Sequence, residues 1–201
     1  MSGGGGATAR LFLAVDPPEQ VCLELASWAR AVAAQGRSGA RGRQGLRLLA
    51  AEALHVTLCF LGSRPVGEIE ELLRVPSASA TVVGELSVGA PLWLPPRRPR
   101  NLAVEIHDHD GELERLQREL VAELQRVIDW EPDRRRFRAH LTVARVRGRE
   151  SFLAAPGGPI AVPATPALRF RPESLTLYRS WLEPSGARYE ALAGRPLLGI
   201  S

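Results

Sequence analysis

The chain has 201 residues, 45% hydrophobic and 24% charged, a balance that excludes disordered and fibrous classes. No apolar run approaches the roughly 20 residues that span a bilayer. The opening Met1-Ser2-Gly3-Gly4-Gly5-Gly6 lacks the basic start and apolar stretch of a secretory signal, and two cysteines, Cys22 and Cys59, cannot build a disulfide framework. A cytoplasmic protein without membrane contact is expected. The formal charge is +4 and all 26 basic residues are arginine. Arg134, Arg135, Arg136, Arg138, Arg145, Arg147 and Arg149 form a block free of acidic residues, which fits a polyanionic partner.

Residues 1–9 read as a flexible tail, and 10–201 as a single two-lobed domain. Arg10–Val15 reads as a first strand. Asp16-Pro17-Pro18-Glu19 has the form of a helix start, with Asp16 as cap. Val21, Leu25, Trp28 and Val32 then recur at helical spacing. Gly36–Gly45 is a loop by composition, and Leu54–Leu61 a strand ended by Gly62. Pro65–Arg74 reads as a short helix with Ile69, Leu72 and Leu73 inward, Thr81–Val88 and Asn101–Ile106 as strands, and Trp93–Arg100 as a proline-punctuated connection. Leu113, Leu116, Leu120, Leu124, Val127 and Ile128 give Gly111–Trp130 the clearest helical pattern. Strands follow at Ala139–Val146, Ser174–Leu182 and Arg188–Ala193, with Ala154–Pro172 a loop holding at most a short strand. Each half thus carries a long helix and a strand with a His-x-Thr motif, which predicts an α+β fold of two related antiparallel-sheet lobes, outer helices and a central cleft.

Strand alternation gives the motifs chemical meaning. In Leu54–Gly62, His55, Thr57 and Cys59 share one face, and Val56, Leu58 and Phe60 an apolar opposite face. In Ala139–Ala144, His140 and Thr142 oppose Leu141 and Val143. Of four histidines in the chain, two occupy equivalent settings. One neutral imidazole can take a proton from water while a protonated one gives a proton to a leaving oxygen. Histidine as a residue type suits both jobs, its unperturbed pKa of about 6.5 lying near working pH, and the threonine hydroxyls can donate to the non-bridging oxygens of a phosphate. No metal or cofactor is required. Arg138 has the parity of His140. Arg145, five residues after it, has the opposite parity and reaches the same face only through a bulge.

Arg10–Asp16, Leu54–Gly62, Phe137–Arg145, Leu175–Ser180 and Gly186–Leu192 together resemble the two-histidine (2H) phosphoesterases, and among them the RNA 2′,3′-cyclic phosphodiesterases of the LigT, or 2′-5′ RNA ligase, family. The resemblance runs nearly the whole chain in order. It departs at Cys59, where a longer side chain is common, and at Ala139, where proline is. It implies a bilobal fold with both motifs lining the cleft and metal-independent opening of a terminal 2′,3′-cyclic phosphate to a 2′-phosphate. By motif position it implies His55 as donor to the departing 3′ oxygen and His140 as base, with Thr57, Thr142, Arg138 and Arg145 binding substrate. It also supports a role for Arg145.

Other readings stand beside this one. The same chemistry fits 2′-5′-linked oligonucleotides or small cyclic nucleotides, and the arginine block alone fits a non-catalytic RNA-binding module. A closed zinc site around Cys59 lacks further ligands at suitable spacing. His107-Asp108-His109-Asp110 reads as a strand end with Asp108 or Asp110 capping the next helix. Phe12 and Trp93 are aromatic candidates for stacking on a base, against ordinary core roles. A monomer acting on an RNA or oligonucleotide end is expected.

Overall fold

Nine strands form one antiparallel sheet in the computed structural model, which describes residues 7–35, 46–146, 162–183 and 186–197. In chain order they are β1 (Thr8–Asp16), β2 (Leu46–Leu48), β3 (Val56–Pro65), β4 (Leu86–Leu94), β5 (Asn101–Asp108), β6 (His140–Val146), β7 (Arg169–Phe170), β8 (Ser174–Glu183) and β9 (Gly186–Pro196). The helices are α1 (Glu19–Gln35), α2 (Ile69–Leu72), α3 (Val75–Ala78) and α4 (Glu112–Val127). The sheet order is β7-β4-β5-β6-β3-β1-β8-β9, with β2 against β6. Residues 1–6 of the expected tail, the loop at 36–45, residues 154–161, Arg147 and Arg149 lie outside the described residues.

The α+β reading holds, and the two halves are legible in the connections. β1, α1 and β3 make one strand–helix–strand unit, and β5, α4 and β6 another. In each, the two strands are antiparallel neighbours. The second strands, β3 and β6, meet at one paired position, Val56 with Leu141. Each helix reaches under the other half: α1 contacts β6 and α4 contacts β3. Leu11, Leu13 and Val15 of β1 join Val21, Leu25 and Val32 of α1, and Leu113, Leu116, Leu120 and Leu124 of α4, in a common core. Trp28 is only partly buried, and its indole donates to the Ala164 carbonyl at 3.0 Å.

Several sequence expectations change. Asp16 does not cap α1. Its carboxylate accepts hydrogen bonds from Ser174 Oγ at 2.6 Å, Thr176 Oγ1 at 2.6 Å and Tyr178 Oη at 2.8 Å. Alternation explains this, because Asp16, Ser174, Thr176 and Tyr178 share a face across the β1–β8 ladder. The strand expected at Thr81–Val88 begins only at Leu86. The preceding segment is tied to α4 instead, with Thr81 Oγ1 donating to Glu119 and the Gly84 amide donating to Glu112 Oε2 at 2.6 Å. The helix expected at Pro65–Arg74 is a 3-10 turn at Val66–Glu68 followed by the short α2, and α3, with Pro76 in its first turn, begins just beyond it. Leu72 is buried as expected, whereas Leu73 is exposed. The Asp108 expectation holds: its carboxylate accepts from the Glu114 amide at 3.0 Å in the first turn of α4.

Gly62 does not end its strand, since β3 continues to Pro65. Its φ of +74° instead serves a bulge, for Leu11 pairs with Gly62 and Phe12 with Phe60, leaving Leu61 unpaired. A second irregularity leaves Leu58 unpaired between Thr57 and Cys59. In β6, Val143 is left unpaired between Thr142 and Ala144.

Because a single pairing joins the halves, buried side chains below it must hold their alignment. Leu141→Ala should therefore cost about 2–5 kcal/mol, read as a lower urea midpoint with an unchanged slope.

Candidate active site

The strand interruptions decide which side chains reach the cleft. Each adds one residue after the motif threonine, so two successive side chains turn toward the core: Leu58 and Cys59 in β3, Val143 and Ala144 in β6. The face then exchanges. Phe60, expected on the apolar side, lines the cleft, and Cys59 lies in the core instead of beside His55. Burial pushes the Cys59 thiol up to about 12, so it stays protonated. Arg145 is carried onto the His140 face by the equivalent bulge. Arg138, favoured by simple alternation, is not among the lining residues. Its guanidinium donates to Glu105 Oε1 at 3.0 Å.

The cleft is a cavity of about 580 Å³. The first half supplies His55, Thr57 and Phe60 from in and beside β3, Arg10 and Phe12 from β1, Ser180 from β8 and Tyr189 from β9. The second supplies His140, Thr142, Arg145 and Val146 from β6, with Arg47 and Leu49 in and beside β2, and Arg100 and Asn101 at the start of β5. Among the described residues, no carboxylate lines this cavity. Among the described residues, none is ion-paired to Arg10, Arg47, Arg100 or Arg145. The wall is therefore a basic surface suited to an anion.

Both histidines are anchored alike. His55 Nδ1 lies 2.9 Å from the Ala53 carbonyl, and His140 Nδ1 lies 2.8 Å from the Arg138 carbonyl. A carbonyl only accepts, so each Nδ1 carries the proton and each neutral ring offers Nε2 as a base. Phe12 stacks on His55 with centroids 4.7 Å apart, and Tyr189 meets it edge-on at 5.2 Å. Tyr189 also ties the halves together, its hydroxyl accepting from Arg145 Nη2 at 3.3 Å. Behind Phe12, Tyr178 stacks at 5.2 Å while donating to Asp16.

This aromatic enclosure acts on protonation. Desolvation pushes the His55 imidazole down to about 4, with the nearby charges of Arg145 and His140 adding to the effect, against the Ala53 hydrogen bond and the Asp16 charge. Sequence reasoning missed Tyr178, Tyr189, Arg10, Arg47 and Arg100. The regular spacing of Ser174, Thr176, Tyr178 and Ser180 on one strand face was the available signal for part of this wall. Trp93 packs against the core and is not a lining residue. In the His107–Asp110 cluster, His109 Nε2 lies 2.9 Å from Ser87 Oγ and the Asp108 carboxylate accepts from the Glu114 amide of α4. Among the described residues, no three metal-binding side chains converge, and no helix is long and apolar enough to cross a membrane.

The same architecture occurs in known structures. The Thermus thermophilus protein TT0787 superposes with a TM-score of 0.70 at 27% identity, covering 94% of this chain and 97% of its own. E. coli LigT complexed with 3′-AMP gives a TM-score of 0.72 at 22% identity, covering 96% of this chain and 100% of its own. The chain has the LigT-like fold. A phosphoesterase crystal structure shares the LigT-like fold at a TM-score of 0.72 and 23% identity, covering 96% of this chain and 100% of its own. No protein-family model matches the sequence, and neither does any curated protein. The resemblance read from the motifs is thus met by the fold over nearly the whole chain.

The His55 environment has a pH signature. The unfolded chain, with an ordinary pKa of 6.5 at this histidine, binds the extra proton between pH 6.5 and about 4. The His55 contribution to stability should thus be full above that window and fall as pH drops through it. Proton NMR of the imidazole should show His55 titrating near 4 and moving upward when inorganic phosphate is added. A midpoint near 6.5 in the free protein would contradict the assignment.

Proposed function

We propose that the chain is a two-histidine phosphodiesterase that opens terminal 2′,3′-cyclic phosphates on RNA and leaves a 2′-phosphate. The observation that carries this reading is the pair of identically anchored histidines on neighbouring strands, each two residues before a cleft-lining threonine. The arginine-rich, carboxylate-free wall matches an anionic substrate, and E. coli LigT has been solved with 3′-AMP, ATP, NADP+ and phosphate. A non-catalytic binding module would have no use for two bare Nε2 atoms held toward one cleft.

In this mechanism, His140 Nε2 takes a proton from water as the water oxygen bonds to phosphorus. The bond from phosphorus to the 3′ oxygen breaks, and His55 Nε2–H gives its proton to that oxygen. Thr57, Thr142 and Arg145 donate to the non-bridging oxygens, where negative charge grows. The products are a 2′-phosphate and a free 3′ hydroxyl, and proton exchange with solvent resets the pair. The donor role of His55 comes from the family resemblance, whereas its enclosure favours the neutral ring in the free protein. The two are reconciled by the substrate, whose negative charge beside the ring raises its proton affinity. Protonation of His55 is then coupled to substrate binding, while Tyr189 and Phe12 fix its orientation.

With EDTA present, the protein should convert a cyclic-phosphate-ended oligonucleotide to the 2′-phosphate, as read by phosphorus NMR. His55→Ala and His140→Ala should each lower kcat about 10²–10⁴-fold, and Thr142→Val about 10²-fold. Full turnover in either histidine variant, or a 3′-phosphate product, would overturn the mechanism.

A further inference from the structure

Across the ladder from each motif histidine stands a carboxylate. Glu105 of β5 pairs directly with His140 of β6, so their side chains share a face. Asp16 and His55 each lie one residue beyond Val15 and Val56, the last paired position of β1 and β3. The two halves repeat this placement but treat the charge differently. Among the described residues the side-chain partners of Asp16 are the neutral hydroxyls of Ser174, Thr176 and Tyr178, and no cation pairs with it. The hydroxyls satisfy its oxygens without cancelling its charge. Tyr178 spans the interval, donating to Asp16 while its ring stacks 5.9 Å from the His55 imidazole. Glu105 instead forms an ion pair with Arg138 at 3.0 Å. That pair is open to water, with the Arg138 side chain 63% exposed. The Asp16 charge acts through an aromatic enclosure, where screening is weak.

We propose that this asymmetry assigns the two roles: the uncancelled charge of Asp16 makes His55 the proton donor, and Arg138, by neutralising Glu105, keeps His140 the base. Asp16 and Arg138 are then positioning residues, which act through the imidazoles without touching substrate. The inference rests on the activity proposed above and gives its division of labour a cause in this chain's own residues. The other titratable groups around His55 are Tyr178 of β8, Tyr189 of β9, and His140 and Arg145 of β6. Arg145 and His140 oppose a proton on His55, as burial does, so Asp16 is the counter-charge that favours one. Around His140 stand Glu105, Arg138, Arg145 and His55, while Arg10, Arg47 and Arg100 line the cavity common to both rings. The exposed Glu105–Arg138 pair, which looks incidental to the cleft, thereby has a part in keeping its two imidazoles unlike.

The test reads the two imidazoles apart. In Asp16→Asn the amide oxygen still accepts from the hydroxyls, but the charge is gone. Proton NMR should find the His55 ring still neutral near pH 4, where the wild-type ring is half protonated. The kcat/KM on a cyclic-phosphate-ended oligonucleotide should fall about tenfold, with the acid limb of its pH profile moved lower. A packing defect alone lowers the rate without moving that limb. Arg138→Gln, at an exposed position, uncovers the Glu105 charge beside the base. It should lower kcat/KM about two- to fivefold on the acid side of the profile only, and the double variant Arg138→Gln/Glu105→Gln should recover the wild-type value. An unmoved His55 titration in Asp16→Asn would overturn the proposal, as would an Arg138→Gln loss that is equal at all pH and not recovered. Should Asp16→Asn not fold, the Arg138→Gln comparison decides. If the wild type opens no cyclic phosphate, the proposed activity fails and the His55 titration decides: a lowered midpoint in Asp16→Asn upholds the charge asymmetry, and an unmoved one overturns it.

Discussion

Leu58 and Val143 occupy the same place in two strands: each follows a motif threonine, and each is left without a partner across the ladder. A regular strand after His-x-Thr would send the fifth residue beyond the histidine into the core. One extra residue reverses that parity, and the surroundings of the cleft depend on the reversal. Cys59 and Ala144 fill the core as small buried side chains, while Phe60 and Arg145 face the cavity. The departure from the family pattern at Cys59 concerns the floor beneath the site rather than its wall.

The second constraint is how the two histidine strands are held side by side with one pairing between them. Alignment comes from below, where α1 and α4 reach beneath each other's half and place buried leucines under both strands. It comes from above as well. Tyr189 touches the His55 ring and accepts from Arg145 of the other half. Asp16 gathers hydroxyls from β8 around the end of β1, keeping Tyr178 behind Phe12. A ring wall and two carbonyl-fixed tautomers hold both imidazoles in place, and in the proposed mechanism that fixed placement is what would orient an acid–base pair before substrate arrives.

The long, strongly periodic elements were legible in the sequence. α4 and its leucine stripe, β1, β5 and both His-x-Thr strands stand where periodicity places them, because apolar spacing and burial agree there. Boundaries were less legible where side chains compete with the ladder. Thr81 and Gly84 bind glutamates of α4 instead of pairing, and Asp16 satisfies hydroxyls instead of a helix start. That His55, Thr57, His140 and Thr142 face one side of their strands was readable from alternation alone, and all four line the cleft. The periphery of the site was not, since a bulge leaves no residue-type signature at Leu58 or Val143, and simple parity therefore ranked Arg138 above Arg145. Arg47, Arg100 and Tyr189 come from distant segments that only the sheet order brings together.

The central claim is that His55 and His140 act as one acid–base unit on one phosphodiester. The most direct measurement is single-turnover cleavage of a cyclic-phosphate-ended RNA by the two single alanine variants and by the His55→Ala/His140→Ala double variant. Residues that work as a unit lose most of their effect together. The double variant should therefore be about as slow as the slower single variant. A double variant slower by the full product of the two single losses would show that the histidines act independently, and would contradict the account.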